Sequence, residues 1–268
     1  MKIILSRKGF DSANGGMPSP IMPDGTLLSF PIPSNDNDLF DELINNGISY
    51  LDILNQLAPH KKYGHCHVDP DIRKNCRKKP VKDWIPAFGQ IGAAQGVLSN
   101  ANVEVGDIFL FFGWFRKTEL HNGQYRFVHR NTGDFYDHSN LQIIYGYMQI
   151  GEIITDKSQI SRFAWHPHSS DSRIDINSNT LYVPAKTLSV LPGFDGYGTL
   201  NYRIDRVLTM KEKPRATWND YSFLSHEHIY GQRKNRAKGE GIYYPGIWQE
   251  LVINESDGLL NWAKSIIQ

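Results

Sequence analysis

One segment limits the fold more than any other. Asp107 to Arg116, Asp-Ile-Phe-Leu-Phe-Phe-Gly-Trp-Phe-Arg, is apolar on both strand faces. Successive side chains of a strand point to opposite faces, so this run needs cover on both sides and reads as the middle of a sheet. Leu141 to Ile154 repeats the demand, with Gly146 and Gly151 as bulge positions. Between them, residues 117–140 are polar and contain Asn122-Gly123, a hairpin-turn dipeptide. Shorter strands are expected at 2–5, 27–32, 179–184 and 204–209. Helical spacing is expected over Leu39, Phe40, Leu43 and Ile44, with Asn35 or Asp36 as cap. A helix from Ser49, boxed by Asp52, should bury Leu51, Leu54 and Leu57 and end at Pro59. Another is expected after Pro86, where Gly89, Gly92 and Gly96 suggest something packed close to the backbone. The last helix, capped near Ser256, should bury Leu259, Leu260, Ala263 and Ile266. The fold class is therefore α+β: a β-rich barrel or strongly curved mixed sheet with flanking helices. One domain over 1–268 is expected, with a barrel-like core at about 103–210 and a polar hairpin insertion at 117–140.

Composition excludes several classes. The 40% hydrophobic and 12% aromatic content rules out a disordered chain, and two cysteines rule out a disulfide scaffold. No apolar run approaches the length of a membrane span, and the N-terminus turns charged after three apolar residues. A cytoplasmic protein without a membrane partner is expected. Charge balances overall at 29 Lys+Arg against 28 Asp+Glu, but not locally. Residues 24–52 carry acids and no base. Residues 60–82 carry eight bases, among them Arg73, Lys74, Arg77, Lys78, Lys79 and Lys82. A second basic run is Arg233, Lys234, Arg236 and Lys238. Such runs suit a phosphate-bearing partner or are plain solvated surface.

Two features bear on chemistry. After the first buried strand comes Ser6-Arg7-Lys8-Gly9-Phe10-Asp11, then Gly15-Gly16 and Pro18-Ser19-Pro20. Arginine offers a planar fork to phosphate, lysine a point charge, and paired glycines let N–H groups converge on an anion. A structural turn with solvated cations is the alternative. Histidine is the second feature. Six of the 10 lie in His-x-His pairs: His65/His67, His166/His168 and His226/His228. Residues i and i+2 of a strand share a face, which is how two imidazoles reach one ion. His67-Val68-Asp69-Pro70-Asp71 adds carboxylates. Yet Cys66 and Cys76 lack a Cys-x-x-C partner, and the spacing is no known zinc pattern. A transition metal stays open beside hydrogen-bonded structural histidines.

Val105-Gly106-Asp107 with its aromatic strand, and Ile144-Tyr145-Gly146 later, resemble the core of PUA-like barrels, the group of the ASCH, EVE and YTH domains. A longer resemblance runs nearly the whole chain. Ser-Arg-Lys-Gly-Phe-Asp-Ser at 6–12, Asp-Gly-Thr-Leu-Leu-Ser at 24–29, His67-Val68-Asp69-Pro70-Asp71, Phe88-Gly89-Gln90, Gly106 to Phe115, His166-Pro167-His168, Asn179 to Tyr182 and Gln249-Glu250 resemble the nucleotide modification associated domain family, type three. The resemblance implies a DNA base hypermodification protein, encoded by bacteria and their viruses, including bacteriophages, beside other base-modification enzymes. It leaves the reaction open. Residues 117–140 do not align with the family pattern, so His121, His129 and His138 are not site candidates.

The leading expectation is action on modified nucleotides or DNA bases. Ser6, Arg7, Lys8, Gly15, Gly16 and Ser19 are the phosphate-binding candidates. Asp11, His67, Asp69 and Asp71 are candidates for proton transfer or metal binding, and His166 and His168 complete the site from a loop. Trp114, Phe115 and Tyr145 are candidates for stacking on a base, against the alternative that they are core. Arg73, Lys74, Arg77, Lys78 and Lys79 are candidates for the nucleic-acid backbone. A non-catalytic reader of a flipped modified base and a structural partner in a modification or phage-defence complex are the alternatives. An enzyme needs the acids and imidazoles in one place, whereas a structural partner scatters them.

Overall fold

The computed structural model describes residues 1–268 apart from 131, 226, 233–239, 245 and 247. His226 and the basic run at 233–238 lie outside the described residues. The fold is α+β and strand-rich, a large curled sheet with a few helices. Its strands are β1 (Ile3–Arg7), β2 (Ser19–Ile21), β3 (Ile32–Leu39), β4 (His65–His67), β5 (Phe88–Gln90), β6 (Ile108–His121), β7 (Gln124–Phe127), β8 (Leu141–Ile154), β9 (Thr180–Pro184), β10 (Tyr197–Thr199) and β11 (Glu250–Ile253). Among the described residues the main sheet runs β11-β1-β6-β8-β9-β5, with β2 and β7 on β6 and β10 on β8. It is mixed, because β1 and β2 run parallel to β6 and the other pairs are antiparallel. The β3 and β4 strands form a separate antiparallel pair.

The two apolar runs form the centre. Strand β6 alternates as its sequence requires. Ile108, Leu110 and Phe112 join Ile3, Leu5, Trp218 and the C-terminal helix on one face. Phe109, Phe111 and Phe115 join Ile4, Phe88, Leu141, Tyr145 and Tyr182 on the other. Phe115 and Tyr145 are thus core side chains, 0% and 4% exposed, which corrects their expected stacking role. The register of β8 shifts at Ile144/Gly146 against β6 and at Ile150/Glu152 against β9, as the two glycines predict. Asn122 and Gly123 both take positive φ at the turn between β6 and β7.

Helix α1 (Tyr50–Leu57) starts where expected, and the Ser49 side chain accepts the Asp52 N–H. It buries Tyr50, Ile53 and Leu54, while Leu51 and Leu57 are only half-buried. The expected helix over 39–44 is absent. Leu39 pairs with His65, the Phe40 N–H goes to Gly64 and the Ile44 N–H to Cys76. Phe40 and Leu43 reach one apolar cluster from a turn, which mimics helical spacing. The segment after Pro86 divides into β5 and α2 (Gly92–Asn100). Strand pairing does not span 27–31 but begins at Ile32, and residues 204–206 form a 3-10 turn instead of a strand. Helix α3 (Leu259–Ile267) is entered through Gly258 at φ 80°, not capped by Ser256. It buries Ile267 where Leu260 was expected.

Among the described residues the sheet does not close by backbone pairing. Its two edges, β5 and β11, instead meet through side chains: Gln90 Nε2 donates to Glu250 Oε1 at 2.7 Å. No helix among the described residues is long and apolar enough to cross a membrane.

Candidate functional site

A cleft of about 730 Å³ lies along this seam. Arg7, Lys8, Gly9, Asp11 and Asn14 line it from the end of β1, His67 and Asp69 from β4 and the turn after it, and His168 from the 3-10 turn Pro167–Ser169. The structure therefore brings together the 6–20 loop, the 67–71 segment and the 166–168 loop. Gln90, Ile91, Ala93 and Ala94 supply another wall, and Arg173 and Glu250 complete it.

Asp69 sits at the inner end with its side chain 4% exposed. Its Oδ1 accepts the Gly89 N–H at 2.8 Å. Its Oδ2 faces His67 Nε2 at 3.8 Å and His168 Nε2 at 4.0 Å. Burial pushes the carboxyl up, but the imidazoles of His166 and His67 outweigh it and hold Asp69 well below the usual carboxylate range. His67, Asp69 and His168 each present one ligand atom within 4.8 Å of the others.

Both cleft imidazoles are oriented from behind. His67 Nδ1 lies 2.8 Å from Asp36 Oδ2, and Asp36 is also held by the two terminal guanidinium nitrogens of Arg173 and by Ser34 Oγ. Burial lowers the affinity of His67 for a proton, yet Asp36 and Asp69 keep it above its ordinary value. Asp36 itself is driven far down against its own burial by His67 and Arg173. His168 Nδ1 is 2.8 Å from Asn179 Oδ1, while Asn179 Nδ2 donates to the His168 carbonyl at 2.9 Å. The second bond fixes which end of the amide faces the ring, so Nδ1 carries the proton and Nε2 presents its lone pair. Burial pushes His168 down to about 3, with Asp69 opposing, so the ring is neutral at pH 7. The ring also packs against Gly89, where a Cβ would come within 2.3 Å of it.

Other expected residues are placed differently. His166 stands behind Asp69, 1% exposed, and does not line the cleft. Its Nδ1 accepts the His168 N–H, and its Nε2 lies 3.3 Å from Asp69 Oδ1. Asp71 turns away into an ion pair with Arg77 at 2.8 Å and accepts the Trp84 indole N–H. Burial raises its pKa despite Arg77. Arg77 bonds Asp38 and Asp71, so it is interior and not a backbone contact for nucleic acid. Arg73 donates to the Leu27 carbonyl, whereas Lys74, Lys78 and Lys79 are exposed.

The expected anion nest has its Gly16 N–H already spent. The Gly16 N–H goes to the Asp11 carbonyl, and the Gly15 and Gly16 carbonyls accept Lys61 Nζ. Asp11 Oδ1 accepts the N–H groups of Ala13 and Asn14, and Oδ2 pairs with Arg7 at 3.2 Å. Ser19 Oγ accepts the Phe30 N–H, and Ser6 Oγ donates to Glu250. Trp114 is half-buried under the Arg215 guanidinium, 3.8 Å from its ring centroid. Lys8 lies 2.9 Å from Glu250 Oε1 and 4.4 Å from the Phe88 ring centroid.

Asp36, Arg173 and Glu250 were not expected as site residues. Asp36 lay in an acidic run and looked like a helix cap. Arg173 carried no motif. Glu250 belongs to the quoted Gln249-Glu250 pair, which was the one available signal.

No curated protein and no solved structure matches the chain. The family model described as nucleotide modification associated domain 3 matches residues 2–253. That span carries β1 through β11 and every side chain of the cleft, and the chain belongs to this family.

Proposed function

We propose that the protein modifies the base of a nucleotide, free or within DNA, in this cleft. Family membership supports a role in nucleotide modification. The observation that carries the reading further is that cations and an acid–imidazole group line one partly enclosed space. A volume of about 730 Å³ is of nucleotide size. Arg7 is the candidate for phosphate: it lines the cleft, and its guanidinium, tied to Asp11 through one terminal nitrogen, carries further N–H donors that a phosphate oxygen would accept. Lys8, its charge balanced by Glu250, forms the neighbouring wall. His168, neutral with an oriented lone pair, presents a hydrogen-bond acceptor or ligand atom to the cleft, and Asp69 holds negative charge beside it. A non-catalytic reader is less well supported, because Phe115 and Tyr145 are interior and Arg215 covers a face of Trp114.

The test is nucleoside mass spectrometry on DNA and on the nucleotide pool of cells expressing the protein with its neighbouring modification genes. A base species present with the wild type and lost with Arg7→Ala and His168→Gln, each variant still unfolding in one cooperative thermal transition, is the expected result. Identical nucleoside profiles for wild type and both variants would overturn the assignment of this cleft.

A further inference from the structure

We propose that His67, Asp69 and His168 hold one divalent transition-metal ion at the inner end of the cleft. The inference goes beyond the nucleotide reading and does not depend on it, because it stands on the chain's own donor atoms.

Spacing comes first. Asp69 Oδ2 lies 3.8 Å from His67 Nε2 and 4.0 Å from His168 Nε2. Those gaps are too long for hydrogen bonds. Were this a plain buried polar network, the imidazoles would close onto the carboxylate. A shared ion explains the gaps instead. Donors at about 2.1 Å from a tetrahedral ion stand roughly 3.4 Å apart, so both gaps close by about half an ångström.

Orientation is the second, independent observation. Metal-bound imidazoles commonly give their other ring nitrogen to a carboxylate or amide oxygen. Here Asp36 takes Nδ1 of His67, and Asn179 takes Nδ1 of His168. Each contact leaves Nε2 directed at Asp69. The Gly89 N–H occupies Asp69 Oδ1 and leaves Oδ2 for the ion. His166 takes no part, since its Nε2 faces Oδ1 from behind.

The ligand class fixes the kind of ion. Two imidazoles and one carboxylate suit iron(II), cobalt(II), manganese(II) or zinc(II). Magnesium and calcium prefer all-oxygen shells. No thiolate joins the set, because Cys66 is buried in the separate cluster around Phe40 and Ile53. Three protein ligands leave coordination positions open, and all three residues line the cleft, so water or substrate would complete the shell from that side.

The experiment uses full-length, tag-free protein stripped with a chelator and dialysed. Cobalt(II) is titrated with calorimetry and visible absorption, and magnesium(II) serves as control. One cobalt(II) per chain is expected, with a raised melting temperature and no such effect of magnesium(II). Asp69→Asn and His168→Gln should each weaken cobalt(II) binding at least 100-fold, and His65→Ala should not. Absence of binding by the wild type, equal binding of magnesium(II), or wild-type affinity in both variants would overturn the site. Should the variants fail to fold, anomalous scattering from cobalt-soaked wild-type crystals decides. A peak among the three side chains supports the proposal, and a peak only elsewhere or none removes it.

Discussion

Asp69 shows how much of the cleft rests on single atoms. Its two oxygens serve different purposes: Oδ1 is held by the Gly89 N–H, and Oδ2 is left facing two imidazoles. Gly89 is therefore doubly constrained. Its N–H fixes the carboxylate, and its missing side chain makes room for the His168 ring. That ring is pinned by Asn179 and cannot retreat freely. Gly89→Ala should then cost about 1–3 kcal/mol through overpacking, read as a lower urea midpoint at unchanged slope. Wild-type stability in that variant would show that the ring yields. At this scale the sequence was informative where chemistry and spacing coincided, as at His67, Asp69 and His168. It was silent where a partner is remote: Asp36 meets His67 across 31 positions and Arg173 across 137. Asp71 misled because it lies two residues past Asp69, yet the chain turns there and hydrogen-bonds Ala87.

Among the elements, the long strands were the most legible. Strands β6 and β8 are apolar on both faces, and no other arrangement buries such runs so fully. Helix α1 was legible for a local reason, since its cap and its stop both lie in the adjacent sequence. Ser49→Ala should remove the acceptor for the Asp52 N–H and cost about 1 kcal/mol. Chemical denaturation of the full chain measures this, and an unchanged midpoint would mean that Phe40 and Ile53 packing sets the helix start without the cap. The 39–44 segment shows the opposite case. Its apolar spacing fits a helix, but its backbone groups bond to residues 64, 65 and 76, and such long-range partners leave no trace in a local pattern. The β5 strand was hidden for the same reason. Its three residues pair with β9, about 90 positions later, and glycine at its centre looks like a helix defect until His168 is seen lying on it.

The whole molecule draws its cleft from both ends of the chain. Strand β1 brings Arg7 and Lys8, β11 brings Glu250, and the curl of the sheet sets both against β5. Charge must be judged at the same scale, because a basic run in sequence is not a basic surface. Of the five expected backbone contacts, Arg77 is spent on Asp38 and Asp71, and Arg73 donates to Leu27. Lys74, Lys78 and Lys79 stay exposed and are the cations a duplex would meet. If each neutralises one phosphate, replacing all three by Ala should reduce the slope of log affinity against log salt by about 2.7. The melting temperature should hardly move, since exposed lysines contribute little to stability. Arg77→Ala should behave in the opposite way. Removing it leaves Asp71 buried without its charge partner, at a cost of about 3–5 kcal/mol, and any loss of DNA affinity would follow from unfolding. Salt-dependent fluorescence anisotropy on duplex DNA, paired with thermal denaturation, separates the two. A triple lysine variant with the wild-type salt slope would take this face off the path of DNA.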